Sequence, residues 1–132
     1  PHYFLQLKEL IKKLNLEEKV FFEHCLTDVQ QELHQYEVGL QTAFSESGPL
    51  VLIEYLAQSL PFLAFKTGQV VEDIKSELPD LILDNFEIKQ WLTKLIIVKK
   101  MDTTLLTEVY EKYFSEKMYL TKCETIYAEI SK

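Results

Sequence analysis

Ser45-Glu46-Ser47-Gly48-Pro49-Leu50-Val51-Leu52-Ile53-Glu54-Tyr55-Leu56-Ala57-Gln58-Ser59-Leu60-Pro61 is the stretch whose reading decides the fold of this chain. An apolar, β-like run, Val38 to Phe44, leads into it through a short polar turn. Pro49 stands where a first helical residue belongs, because its fixed φ suits a helix and its missing N–H costs nothing there. A strongly apolar helix follows and is closed by Ser59 and Pro61. Two carboxylates stand out, Glu46 in the turn and Glu54 alone in the run Leu50 to Ala57. Amides in the first turn of a helix have no intrahelical acceptor, so Leu50 and Val51, with Gly48 just ahead of them, offer an anion site. A strand end, a helix N-terminus and two carboxylates are the parts of a site for a polyhydroxylated phosphate. Sugar nucleotides are ligands of that kind.

Outward from this stretch, apolar periodicity predicts alternating helices and strands. Leu5, Leu7, Leu10, Ile11 and Leu14 recur at helical spacing with Lys8, Lys12 and Lys13 outside, which predicts an amphipathic helix ending near Asn15. Val20 to Cys25 reads as a short strand. Thr27 is expected to open the next helix, with Gln30 as its capping-box partner and Val29, Leu33 and Tyr36 facing inward. Val38–Phe44, Pro61–Phe65 and Leu81–Leu83 read as further strands, and Val70–Lys75 as a short helix. After them only helices are expected, over Phe86–Lys100, Asp102–Tyr113 and Ser115–Ile130. Strands alternating with helices and then helices alone indicate an α/β fold, a parallel sheet of about four strands with helical cover on both faces.

The chain has 132 residues, 47% hydrophobic and 27% charged, which suits one folded core and argues against disorder. A net charge of −7 without a basic block excludes a phosphate-backbone grip on nucleic acid. No apolar run has the length of a membrane span, and the first residues lack a signal-peptide pattern. Pro1 in place of Met reads as the start of an excised piece. Cys25 and Cys123 have no framework spacing, which suits free thiols in a cytoplasmic setting, though a disulfide between them stays open.

Four segments in order carry a family resemblance. Lys19-Val20-Phe21-Phe22-Glu23-His24 resembles the strand before the donor base in retaining GT-B glycosyltransferases, the group 1 glycosyl transferases. Glu46 and Glu54 stand in that family's E-x7-E spacing, and Thr67-Gly68-Gln69-Val70-Val71-Glu72 resembles its Gly-Gly-x-x-Glu turn. Phe114-Ser115-Glu116 with Ile126-Tyr127 resembles its closing helix. The chain also departs from the pattern. His24, Ser59 and Gln69 stand where Gly is usual, Tyr55 where Ala is usual, and Pro49 where Gly is frequent. The resemblance further implies that an acceptor-binding N-terminal domain is absent, as is the first β-α-β of the nucleotide domain. The absent β-α-β carries the Arg and Lys that grip the diphosphate, so the single truncated donor-binding domain, residues 1–132, is expected to bind UDP weakly.

The same resemblance assigns roles residue by residue. Glu46 would touch donor-sugar hydroxyls and support the reaction centre, and Glu54 would accept both ribose hydroxyl protons. Gly48, Leu50 and Val51 would face the phosphates, His24 would line the base pocket, and Gly68, Gln69 and Glu72 would approach the sugar. Plainer readings stand beside these. Glu54 and Gln58 form an i,i+4 pair that suits a solvated stripe. Glu46 and Glu72 are carboxylates favoured near helix N-termini. Gly68 can be an ordinary turn glycine. A metal site on His24, Cys25 and His34 matches no zinc spacing, and neither a metal nor a cofactor is expected.

The reading that follows is a sugar-nucleotide-dependent transferase that retains anomeric configuration. Its donor would be a UDP- or GDP-sugar, and a glycan or lipid-linked acceptor would be held by the missing domain. It would serve cytoplasmic assembly of a surface polysaccharide, with the fragment inactive alone. Peripheral membrane association of the full-length protein and a homodimer through an exposed sheet edge are both compatible with it. The alternative is a non-catalytic sugar-nucleotide-binding or scaffolding domain, degenerate at His24, Ser59 and Gln69. Loss of two inner strands leaves Val20–Cys25 without its usual neighbour, and direct pairing with Val38–Phe44 of the same chain is the expected repair.

Overall fold

Three parallel strands follow one another across a single sheet in chain order, as seen in the computed structural model, which describes residues 2–23 and 28–131. They are β1 (Gly39–Gln41), β2 (Phe62–Phe65) and β3 (Ile82–Leu83). Gly39 pairs with Phe62, Leu40 with Leu63 and Gln41 with Ala64, while Ala64 and Phe65 pair with Ile82 and Leu83. The helices are α1 (His2–Lys13), α2 (Val29–Leu33), α3 (Leu50–Ala57), α4 (Gln69–Ile74), α5 (Ile88–Val98), α6 (Thr104–Tyr113) and α7 (Glu116–Ile130). A 3-10 turn, Pro79–Leu81, leads into β3. No helix among the described residues is long and apolar enough to cross a membrane.

Alternation along the strands decides which helix covers which face. Gly39 and Phe62 both meet Tyr55, so one face of the sheet packs on α3, with α6 behind it. Leu40 and Leu63 point the other way, toward Trp91 and Leu95 of α5. Leu52, Leu56, Phe62, Leu63 and Leu106 have no exposed surface. Each such side chain stabilises the fold by about 1.5–3 kcal/mol relative to exposure. On the α5 face cover stops short of the sheet edge, and Leu40 of β1 stays 49% exposed beside an apolar groove.

Local chemistry sets the ends of these elements. Pro49 is the N-cap of α3, at φ −68° and ψ 92°, one residue earlier than expected. An extended ψ holds it outside the helix while its φ is still of helical sign. Helix α3 closes with Ser59 in the left-handed region, φ 51°, the Ser59 amide bonding Leu56 O at 3.0 Å and the Leu60 amide bonding Tyr55 O at 2.9 Å. This is the Schellman pattern, which glycine usually serves. Here the serine hydroxyl adds a 2.7 Å hydrogen bond to Thr107 Oγ1 that ties α3 to α6. The same pattern ends α1 at Asn15, φ 53°. Ser115 caps α7, accepting from the Met118 amide at 3.4 Å and donating to Glu111 O at 2.9 Å.

Several expectations need correction. The sheet has three strands among the described residues, and residues 20–23 take no part in any ladder. His24, Cys25 and the expected cap Thr27 lie outside the described residues. The expected ladder to Val38–Phe44 is therefore not formed by the part that is described. Local contacts win instead: the Lys19 and Val20 amides both bond Leu16 O, and Phe22 packs edge-on against Phe4 at 4.7 Å. Phe21 is 73% exposed, so this run gains too little burial to offset the entropy of ordering it as a strand. The N-cap of α2 is Asp28, whose Oδ1 accepts from the Gln31 amide at 3.0 Å. The Leu5–Leu14 helix together with the C-terminal helices was expected to cover the second face; α5, the first of the latter, does so, whereas α1 buries no residue.

Beyond the sheet, Glu77 joins the segment before β3 to α6. Its carboxylate accepts from Lys112 Nζ at 2.6 Å and from Tyr113 Oη at 3.0 Å. The Lys112 bond, then the Tyr113 bond, hold the Glu77 carboxyl below its ordinary value, and the same contact to Glu77 raises Lys112. A depressed carboxyl adds stability above its unfolded pKa, about 4.3, and loses it as pH falls through the folded value. Glu77→Gln should therefore lower the urea midpoint at pH 7 and leave it unchanged at pH 2. An equal loss at both pH values would show that the charge contributes nothing.

Candidate functional site

The candidate site residues lie beyond the carboxyl ends of the parallel strands, the side on which open α/β sheets generally bind ligands. The turn after β1, residues 42–49, is pinned to the turn after β2, residues 66–68. The Glu46 amide donates to Thr67 Oγ1 at 3.2 Å, and that hydroxyl donates back to Glu46 O at 3.4 Å. The Gln69 amide donates to Ser47 O at 2.9 Å. Gly68 fills the gap between them. A β-carbon there would lie 2.6 Å from Pro49 Cδ and 3.0 Å from Glu46 O, and its φ of 84° is open to glycine and strained for other residues.

These contacts bring Glu46, Gly68, Gln69 and the start of α3 together. No side chain caps α3, so the Leu50 and Val51 amides at its first turn have no acceptor within the helix. Glu46 is exposed and Glu54 half-buried, and neither carboxylate takes part in an ion pair among the described residues. Glu54 lies one turn beyond Leu50 on the same helix face, about 6 Å along the axis. Burial first, and the Glu54 charge second, raise the neighbouring Tyr55 phenol.

Other expected site residues stand differently. Gly48 has open space where its β-carbon would be, and nothing there demands glycine. Leu50 is 70% exposed, so only its backbone can serve an anion. The Gln69 side chain is engaged with Asp73 at 2.8 Å. Glu72 is paired with Lys75, which holds its carboxyl low, with Lys66 assisting through space. His24 lies outside the described residues.

Sequence reasoning missed two residues of this corner. Thr67 joins the two turns through one hydroxyl, and Lys66 is an exposed cation at the end of β2, anchored by its amide to Leu83 O at 2.7 Å. A cation immediately before the Thr67-Gly68 turn was the legible signal for Lys66.

N-acetyl-alpha-D-glucosaminyl L-malate synthase of Bacillus anthracis is 27% identical over 134 residues, covering 96% of this chain and 35% of its own length. The chain thus spans about a third of that curated relative. Residues 1–114 match the family described as Glycosyl transferases group 1, a span ending just before the Ser115 cap of α7. The chain belongs to the group 1 glycosyl transferase family.

Proposed function

We propose that this chain is the donor-binding part of a retaining glycosyltransferase that uses a nucleotide-activated sugar. The observation that carries the reading is the pinned pair of turns, which sets Glu46, without an ion-pair partner among the described residues, beside Gly68 and the first-turn amides of α3, which no side chain caps. In this reading those amides and Lys66 face the diphosphate, and their fixed dipoles stabilise the charge that develops on the leaving group. Glu46 accepts hydroxyl protons of the transferred sugar, and Glu54 those of the ribose, since an ionised carboxylate is an acceptor only. Gly48, Leu50 and Val51 contribute backbone, and Gln69 and Glu72 frame the turn. Donor nucleotide, acceptor, cytoplasmic setting and a role in polysaccharide assembly belong to the full-length protein.

The full-length parent tests this. Supplied with labelled UDP-N-acetylglucosamine, UDP-glucose or GDP-mannose, it should transfer one of these sugars with the donor's α configuration kept, read by NMR of the product. Glu46→Gln and Glu54→Gln should each lower transfer at least tenfold without lowering the melting temperature. An inverted product would end the retaining reading. Donor binding with no transfer under any condition would favour the non-catalytic alternative.

A further inference from the structure

The carboxyl edge of the sheet brings three phenylalanine rings to one place. Phe44 follows β1, Phe65 ends β2, and Phe86 follows β3. Phe65 and Phe86 stack with centroids 4.3 Å apart and planes 16° from parallel. Phe44 lies 5.7 Å from Phe65 at 21°, and Trp91 of α5 lies 5.9 Å from Phe86 at 7°. The indole is held in place by a 2.7 Å hydrogen bond from Nε1 to Asn85 O. Phe44 is nonetheless 77% exposed and Phe86 45% exposed, so the row contributes less to the core than four rings could.

We propose that this row is a stacking platform for a pyranose ring, lying beside Glu46. The proposal rests on the glycosyltransferase reading above and adds where a sugar ring is held. A pyranose presents one face of C–H groups and a rim of hydroxyls. Its C–H face complements the electron-rich face of an aromatic ring. The rim needs acceptors, and Glu46, two residues from Phe44 in sequence, carries an exposed carboxylate without an ion-pair partner among the described residues. That carboxylate disfavours an anionic occupant, which leaves a neutral ring as the better match. The platform is also preorganised. Thr67, two residues beyond Phe65, hydrogen-bonds the Glu46 backbone in both directions, so the loops bearing Phe44 and Phe65 are locked together before any ligand arrives. Donor and acceptor both present pyranose rings of this chemistry, and competition separates the two sources.

The test uses this chain with methyl N-acetyl-α-D-glucosaminide as probe. Saturation-transfer NMR from the aromatic protons should label the ring C–H protons of the sugar, and the fluorescence of Trp91, the only tryptophan, should respond. Phe44→Ala should weaken binding about tenfold, the scale of one lost ring-stacking contact. Phe44→Leu keeps apolar bulk without a π-face and should weaken it similarly, whereas Phe44→Trp should retain it. Because Phe44 is exposed, unchanged melting temperatures are expected for all three. Displacement of the sugar by UDP-N-acetylglucosamine assigns the platform to the donor ring, and simultaneous binding assigns it to the acceptor ring. No saturation at tens of millimolar sugar, or equal binding by wild type and Phe44→Ala, overturns the platform. So does a Phe44 dependence seen for UDP alone, which would make the row a nucleobase platform. Transfer by the full-length parent with no effect of Phe44→Ala on KM would sink the platform and leave the transferase reading intact. Sugar bound on Phe44 without transfer by the parent would do the reverse.

Discussion

Gly68→Ala should destabilise the chain by about 3–4 kcal/mol, combining about 1–3 kcal/mol of backbone strain with a comparable steric cost. At φ 84° and ψ 161° Gly68 occupies a region that is essentially closed to residues with a β-carbon. The added methyl would meet Pro49 Cδ at 2.6 Å, Glu46 O at 3.0 Å and Ser47 C at 3.3 Å. None of these is the far end of a flexible side chain, so relief requires the two turns to part. Parting them breaks the Gln69–Ser47 and Glu46–Thr67 bonds, so under the proposed donor-binding role the affinity for donor should fall along with stability. Gly48→Ala is the control in the same turn. Its β-carbon meets nothing within 4 Å, and Gly68 is the only glycine with positive φ. That change should be neutral or should stabilise by up to about 1 kcal/mol by restricting the unfolded chain. Urea unfolding of both variants decides the matter. A Gly68→Ala midpoint as mild as that of Gly48→Ala would mean the turn is far softer than its contacts imply.

The contrast between these two glycines also marks how far the sequence could be read. Periodicity and caps located nearly every helix, because α3, α5 and α6 each present an apolar stripe that packs against something. The pattern failed for residues 20–23, the described part of the Val20–Cys25 run, whose apolar sequence is indistinguishable from that of a paired strand while its partner is a matter of tertiary context. Helix α1 shows the same limit: its stripe predicted a helix correctly but could not say that none of its residues would be fully buried among the described ones. At the candidate site, the turn ahead of α3 and the helix itself were legible from the apolar run after Pro49, and Gly68 was legible as a turn glycine. Thr67 was not, because a lone threonine carries no pattern until two loops are brought face to face. The aromatic row was hidden for the same reason. Phe44, Phe65 and Phe86 are far apart in sequence and become neighbours only because three parallel strands end at one edge.

A double-mutant cycle at Gly39 and Tyr55 should give a coupling of about 1–3 kcal/mol, among the largest expected for two residues in contact. A β-carbon on Gly39 would lie 2.5 Å from two carbons of the Tyr55 ring and 2.8 Å from a third. The ring cannot simply retreat, since it is only 8% exposed and has Phe62 at 5.9 Å as a neighbour. Gly39→Ala alone should therefore cost about 1–3 kcal/mol, toward the upper end, by overpacking a filled core. Tyr55→Ala alone should cost about 3–5 kcal/mol through lost burial and the cavity left behind. In the Tyr55→Ala background the Gly39 methyl has room, so its penalty should vanish or become a small gain from filling the cavity. Tyr55→Phe is the discriminating background, because it removes the hydroxyl and keeps the ring: there the Gly39→Ala penalty should persist in full. The pair shows how a ring as large as that of Tyr55 fits at this place on α3, for a strand residue without a side chain receives it. Additive losses in the cycle, measured from urea midpoints with unchanged m-values, would show that the sheet shifts away from α3 instead and that Gly39 was never needed to make room.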